Sequence, residues 1–116
     1  MILIVEDDPQ VARLISLVLQ RSGHEAEVVA DGQSALERAR ALRPTMIFAD
    51  LTIGGMGGEA LCSALKSHPD TQRIPYVVVS GDRDIAEKAR QCGADDFMGK
   101  PFEFGDLVRL VDKYVK

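Results

Sequence analysis

Tryptophan is absent from this 116-residue chain, and there are only two tyrosines, two histidines and two cysteines. Cys62 and Cys92 stand apart, with no CxxC or Cys/His spacing beside either. That excludes a zinc ribbon or a disulfide scaffold and makes both small buried helix residues. His24 and His68 sit at expected helix ends in polar surroundings, which excludes a histidine-based catalytic centre. A basic excess is missing too. The formal net charge is -4 and the sequence pI about 5.1, so nothing draws this segment to nucleic acid or anionic membrane. Direct nucleic-acid binding is therefore not expected among its partners. No apolar run approaches the roughly 18 residues of a membrane span. Met1–Val5 has no basic region before it and runs into three acids, unlike a signal peptide. Repeats, low-complexity tracts and interdomain linkers are lacking. A cytoplasmic, single-domain chain spanning residues 1–116 is expected.

Five short apolar runs are present. Ile2–Val5 is continuously apolar and ends in Glu6-Asp7-Asp8; Met46–Ala49 runs straight into Asp50. Ile74–Ser80, with three consecutive valines, ends in Ser80-Gly81, and Asp96–Met98 ends near Lys100-Pro101. Glu25–Ala30 is the remaining run. Continuous apolar runs bounded by turn signals read as strands buried on both faces. Between them, apolar residues recur at helical spacing. Pro9, with Asp8 as N-cap, opens a helix that Gly23 stops; others are expected at Ser34–Leu42, from Glu59 to Leu65, and at Asp84–Cys92. The last runs from Phe104 to Val115, its apolar residues filling an arc of roughly 160° at about 100° per residue. Leu110 and Tyr114 lie at one margin of that arc. Five strands alternating with five helices predict an α/β fold, a doubly wound (βα)5 sandwich around a five-stranded parallel sheet.

Such a sheet gathers the strand ends on one edge, where open α/β folds place their ligands. Glu6, Asp7, Asp50, Ser80 and Lys100 then meet there. Clustered carboxylates repel one another and call for a divalent cation, and an all-oxygen donor set suits Mg²⁺ or Mn²⁺ rather than zinc. A metal would screen Asp50 so that an anionic phosphoryl group can approach. Lys100 offers a mobile cation and Ser80 a hydrogen bond. The expected chemistry is in-line phosphoryl transfer to a carboxylate nucleophile, giving an aspartyl phosphate.

These pieces, Ile2–Pro9, Asp50 after its strand, Val77–Gly81 and Gly93–Phe102, resemble in order and spacing the receiver domain of two-component response regulators, with its flavodoxin-like topology. The resemblance implies Asp50 as phosphoacceptor, a sensor histidine kinase or phosphotransfer protein as donor, and Mg²⁺ as cofactor. It implies Asp7 as direct metal ligand, Glu6 acting mainly through water, and the Thr52 backbone carbonyl completing the protein's share of the shell. Ser80 and Lys100 would contact the phosphate, Lys100-Pro101 would be a cis peptide, and Phe97 falls at the aromatic switch position. Phosphorylation would draw Ser80 inward, let Phe97 turn, and alter the surface of the fourth helix, fifth strand and fifth helix. The readers of that surface would be an output domain, a downstream protein or a phosphorylation-dependent second copy. The chain would be no enzyme beyond its own phosphorylation and dephosphorylation.

Departures from the family pattern stand out. Ile53-Gly54 replaces a frequent Met-Pro pair, and Gly54-Gly55-Met56-Gly57-Gly58 holds four glycines in five residues, so a mobile loop is expected. Ser80 replaces a common threonine and Phe97 a common tyrosine. Thr52 and Asp82 flank the mouth. Thr52 also argues against a haloacid-dehalogenase-type phosphatase, which needs a second aspartate there. Glu6-Asp7-Asp8 argues against a flavodoxin-like FMN site, whose phosphate those acids would repel. A pseudo-receiver acting only as an interaction module is the alternative, opposed by the presence of Asp7, Asp50, Ser80 and Lys100 together. With Met1 abutting the first strand, a receiver cut from a longer protein is favoured over a stand-alone one.

Overall fold

Apolar residues on both faces of the central strands force helices onto both faces of the sheet, and the computed structural model, which describes residues 1–115, shows that arrangement. Its elements are β1 (Ile2–Val5), α1 (Pro9–Arg21), β2 (Ala26–Val29), α2 (Gly32–Leu42), β3 (Met46–Asp50), α3 (Gly58–Lys66), β4 (Tyr76–Ser80), α4 (Ile85–Cys92), β5 (Asp96–Gly99) and α5 (Phe104–Tyr114). All strand pairs are parallel, in the order β2-β1-β3-β4-β5. This is the doubly wound fold expected from the alternation, with the flavodoxin-like topology that the resemblance implies.

The period-2 alternation of strand side chains divides the core in two. Leu3, Val5, Ile47, Ala49, Tyr76 and Val78 face α2, α3 and α4. Ile2, Ile4, Met46, Phe48, Val77 and Val79 face α1 and α5. The first layer is built with small residues, Ala35, Ala39, Cys62, Ala89 and Cys92, which make room for the tyrosine of β4. Both cysteines are buried and unbridged; the Cys62 thiol donates to the Cys92 carbonyl at 3.3 Å. Burial and the neighbouring Cys92 push the Cys62 thiol far up from its ordinary range.

Local chemistry sets the helix ends. Asp8 accepts from the Gln10 amide at 2.9 Å with Pro9 in the first turn, and Asp31 accepts from the Ser34 amide at 2.8 Å. Gly93, at φ +87°, closes α4 in the left-handed conformation that glycine tolerates.

Four elements differ from the sequence reading. β2 and β4 are shorter, because Glu25 and Ala30, like Ile74 and Pro75, lie outside the paired ladder. Leu42, expected inward, is 39% exposed at the last turn of α2. On α5 the buried stripe is Leu107, Leu110 and Val111, while Phe104 is 58% exposed and Val108 37%. The outward margin is therefore the opposite one from Leu110 and Tyr114. α5 packs against α1 and the sheet, which centres the buried arc on Leu107, and the Tyr114 hydroxyl is drawn to the Asp96 carboxylate at 2.8 Å.

The register fixes what matters at the carboxyl edge. Val5 pairs with Ala49, so Glu6 and Asp50 leave the sheet side by side where the strand order reverses between β1 and β3. Ser80 pairs with Gly99, which sets Lys100 beside it, and the Lys100 amide donates to the Ser80 carbonyl at 2.9 Å. Behind Asp50, α3 presses its first residue onto the strand end. A Cβ at Gly58 would stand 2.3 Å from the Asp50 carbonyl oxygen, so only glycine fits. The Gly58 amide donates to the Leu51 carbonyl at 3.1 Å, and its own carbonyl accepts from the buried Tyr76 hydroxyl at 3.2 Å.

Gly58→Ala is expected to cost about 1–3 kcal/mol, because the contact is with backbone and cannot be relieved by a side-chain rotation. Urea denaturation checks it: an unchanged midpoint would show that α3 can move off Asp50 freely.

Candidate functional site

The expected site residues arrive from the ends of four strands, β1, β3, β4 and β5, and the acidic cluster that results is held by one ammonium. Lys100 Nζ lies 2.5 Å from Asp50 Oδ2 and 2.9 Å from Glu6 Oε1. Glu6 and Asp50 are 3% and 4% exposed, carboxylates that would not tolerate such burial unpaired. The other Asp50 oxygen, Oδ1, accepts from the Thr52 amide at 2.9 Å and from the Thr52 hydroxyl at 3.0 Å. Glu6 Oε2 accepts from the Asp8 amide at 3.3 Å. Asp7 is exposed at the lip.

Burial raises the Glu6 carboxyl above its ordinary value, outweighing Lys100. Burial also presses Asp50 upward, but Lys100 and the Thr52 amide bring it below its ordinary value. The surroundings thus favour the ionised form at Asp50 more than at Glu6. Burial alone would lower the Lys100 ammonium; Asp50 and Glu6 together hold it above its ordinary value.

Carboxylate oxygens of Glu6, Asp7 and Asp50 lie within 4.8 Å of one another. Three carboxylates against one ammonium leave a formal excess of two negative charges. Hard oxygen donors with an exposed side open to water fit Mg²⁺ or Mn²⁺ and not a thiolate-seeking metal. The donor set and its charge therefore suit the cofactor expected from the sequence.

Ser80 is 5% exposed at the end of β4, and its Oγ accepts from the Asp82 amide at 3.0 Å. The Lys100-Pro101 peptide is cis. Phe97, one strand over, is 43% exposed and lies outward on a shallow cleft with Ala86, Ala89, Arg90 and Lys113. The cluster thus gathers Glu6, Asp7, Asp50, Thr52 and Lys100, with Ser80 beside it and Phe97 apart.

Several contributors escaped the sequence reading. The Thr52 side chain joins its backbone in holding Asp50. The glycine-rich loop, read as mobile, is tied down at its first glycine. Asp31 and Gly54 form an isolated parallel bridge, the Gly32 amide donates to the Gly54 carbonyl at 3.3 Å, and Met56 packs on Gly32. Within the loop, Gly55 and Gly57 take positive φ and Gly54 and Gly58 do not. The Tyr76 hydroxyl, the one polar tip among the aliphatic residues of β4 before Ser80, was the available signal for the second anchor; the Gly32–Gly54 contact had none.

A five-stranded parallel sheet with an acidic cluster and a lysine at its carboxyl edge is the architecture of signalling receiver modules. A family model described as the response regulator receiver domain matches residues 2–112, and the chain belongs to that family, part of two-component signal transduction. It is 35% identical over 112 residues to the DNA-binding response regulator MtrA of Mycolicibacterium smegmatis, covering 95% of this chain and 48% of that protein. Among solved structures, a putative response regulator from Chloroflexus aurantiacus is 32% identical with a TM-score of 0.93, the match covering 99% of this chain and 97% of that one. The receiver domain of a sensor histidine kinase from Pseudomonas aeruginosa, described with a magnesium ion in its active-site cleft, is 26% identical with a TM-score of 0.91, covering 97% and 94%.

One expectation is overturned. Nucleic acid was not expected among the partners, yet the relative MtrA is named as DNA-binding, and the chain spans about half of its length. The formal charge of -4 describes this segment alone and carries no information about a neighbouring domain. Among the described residues no helix is long and apolar enough to cross a membrane.

Lys100→Met leaves Glu6 and Asp50 facing each other without a cation. The expected loss in metal-free buffer is about 1–3 kcal/mol, below the ~3–5 kcal/mol of breaking a fully buried pair because the Lys100 side chain is 26% exposed. Asp50 is depressed in the folded state, so its contribution is present above the ordinary carboxylate range and disappears as pH falls through the folded value. The gap between variant and wild type should accordingly be full at neutral pH and close in acid. Urea titrations at several pH values measure it; a gap that widened in acid would contradict the pairing.

Proposed function

We propose that residues 1–116 form one receiver domain whose Asp50 carboxylate takes a phosphoryl group from a phosphohistidine on a sensor kinase or phosphotransfer protein. The observation that carries this reading is the pairing of Asp50 Oδ2 with Lys100 Nζ at 2.5 Å, which sets a buried carboxylate next to a cation. An Asp50 oxygen attacks phosphorus, the P–N bond breaks, and the imidazole leaves with its electron pair and takes a proton. An acyl phosphate remains on Asp50, and catalysis lies in position and electrostatics.

Mg²⁺ bound among these acids would supply charge neutralisation and orientation of the phosphoryl oxygens. Asp7 and Asp50 would hold it directly, Glu6 through water, and the Thr52 carbonyl would complete the protein's share. Support comes from the donor set and from the magnesium in the Pseudomonas receiver. Lys100 follows the new charge, since its ammonium already bridges both buried acids. Ser80 turns its hydroxyl to a phosphoryl oxygen, and Phe97 belongs to the surface that changes. Beyond this self-modification the domain performs no turnover, and it works in the cytoplasm.

Its output is a longer regulator in which a DNA-binding domain is joined to the receiver. The name and length of MtrA support that assignment.

Acetyl phosphate with Mg²⁺ is expected to add one phosphoryl group to the wild-type chain and none to Asp50→Asn, with EDTA abolishing the adduct. Intact-mass spectrometry decides it. The same adduct on Asp50→Asn, or none on wild type, defeats the assignment.

A further inference from the structure

Helix α4 is short and its apolar anchors are few: only Ile85, Ala89 and Cys92 are buried. Its N-cap, Asp84, makes no side-chain capping bond. Besides the buried Ile85, what fastens its start to the sheet is polar and passes through one residue. The Asp82 amide donates to Ser80 Oγ at 3.0 Å, Asp82 Oδ1 accepts from the Asp84 amide at 2.8 Å, and Asp82 Oδ2 accepts from Lys88 Nζ at 2.5 Å. The Ile85 amide adds a bond to the Asp82 carbonyl at 3.3 Å. Asp82 therefore grips the phosphoryl-sensing hydroxyl with its backbone and the second turn of α4 with its side chain.

Phe97 offers no comparable link. Its ring has no hydrogen bond to make, and it already lies outward while Ser80 is still engaged by Asp82.

We propose that the Lys88–Asp82 pair is a latch through which the hydrogen-bond state of Ser80 sets the position of α4. The inference rests on the receiver reading above. Ser80 Oγ now only accepts from the Asp82 amide; in the proposed step a rotation about the Cα–Cβ bond carries the oxygen toward the group on Asp50 and draws it away from that amide. Once that amide is released, the Ser80–Asp84 turn is free to shift. Lys88 passes the shift to α4, since the ion pair ties the turn to the helix six residues on. Glu59 on α3 and Asp84 also lie within electrostatic reach of Lys88, so the ammonium has other acids to face when Asp82 moves. Lys88 acts here as a positioning residue: it touches neither the phosphoryl group nor Asp50.

The test uses the 116-residue chain labelled with ¹⁵N, and Mg²⁺ with beryllium fluoride as the phosphoryl mimic. In wild type the amides of Asp50, Thr52 and Ser80 and those of Ile85–Cys92 are expected to shift together. In Lys88→Met the first group should shift as before while shifts in the second fall by at least half. Lys88→Arg should restore them, and Asp82→Asn should reproduce the loss from the other side of the pair. Undiminished α4 shifts in Lys88→Met and Asp82→Asn would overturn the latch, as would a wild-type α4 that stays still while the site responds. If the wild-type site amides do not respond, the receiver reading itself fails. Urea midpoints within experimental error of wild type would show that the variants report coupling and not loss of fold.

Discussion

One ammonium, Lys100 Nζ, decides whether this chain can keep its acids where they are. Two carboxylates buried to within a few per cent of full exclusion repel each other and each loses solvation. Lys100 answers both at once, at 2.5 Å and 2.9 Å, and does so from the end of a different strand. Because the cation lies at the end of β5 and the acids at the ends of β1 and β3, the pairing exists only when the whole sheet is assembled in register. The site and the fold are therefore one electrostatic object.

Parallel topology supplies the rest of that object. The strand order reverses between β1 and β3, and the register of Val5 with Ala49 brings Glu6 and Asp50 out at adjacent points. Gly58 then lets α3 lie against the Asp50 carbonyl, and Tyr76 and Gly32 anchor the two ends of the loop between them. A loop rich in glycine is in this way fastened by the backbone groups that glycine leaves accessible. The left-handed turns that only glycine takes readily fall at its tip, Gly55 and Gly57.

Much of this was legible in the residues. Runs such as Ile2–Val5 and Met46–Ala49 are apolar at every position because both sheet faces are covered, and their terminal acids mark the working edge. Lys100 was legible from its place just beyond the last strand. The helix faces were harder. Phe104 and Leu110 both belong to the apolar arc of α5, and which one is buried depends on where α1 lies across the sheet, a non-local fact. The Asp31–Gly54 bridge likewise joins segments far apart in sequence, through backbone atoms that give no notice of a partner, whereas the Tyr76–Gly58 bond had one signal, a hydroxyl among aliphatic residues. The charge misled in another way: it describes residues 1–116 alone and says nothing of DNA binding by any other segment, such as the half of MtrA that this chain does not cover.

The small-residue layer under α3 and α4 has a separate consequence. Both thiols of the chain lie in it, buried, and Cys62 is additionally disfavoured as the reactive thiolate by its surroundings. A thiol reagent can reach them only when that layer opens. The rate at which the native protein is alkylated is thus a clock for the fluctuations of one side of the sandwich, wound into the sequence without any introduced label.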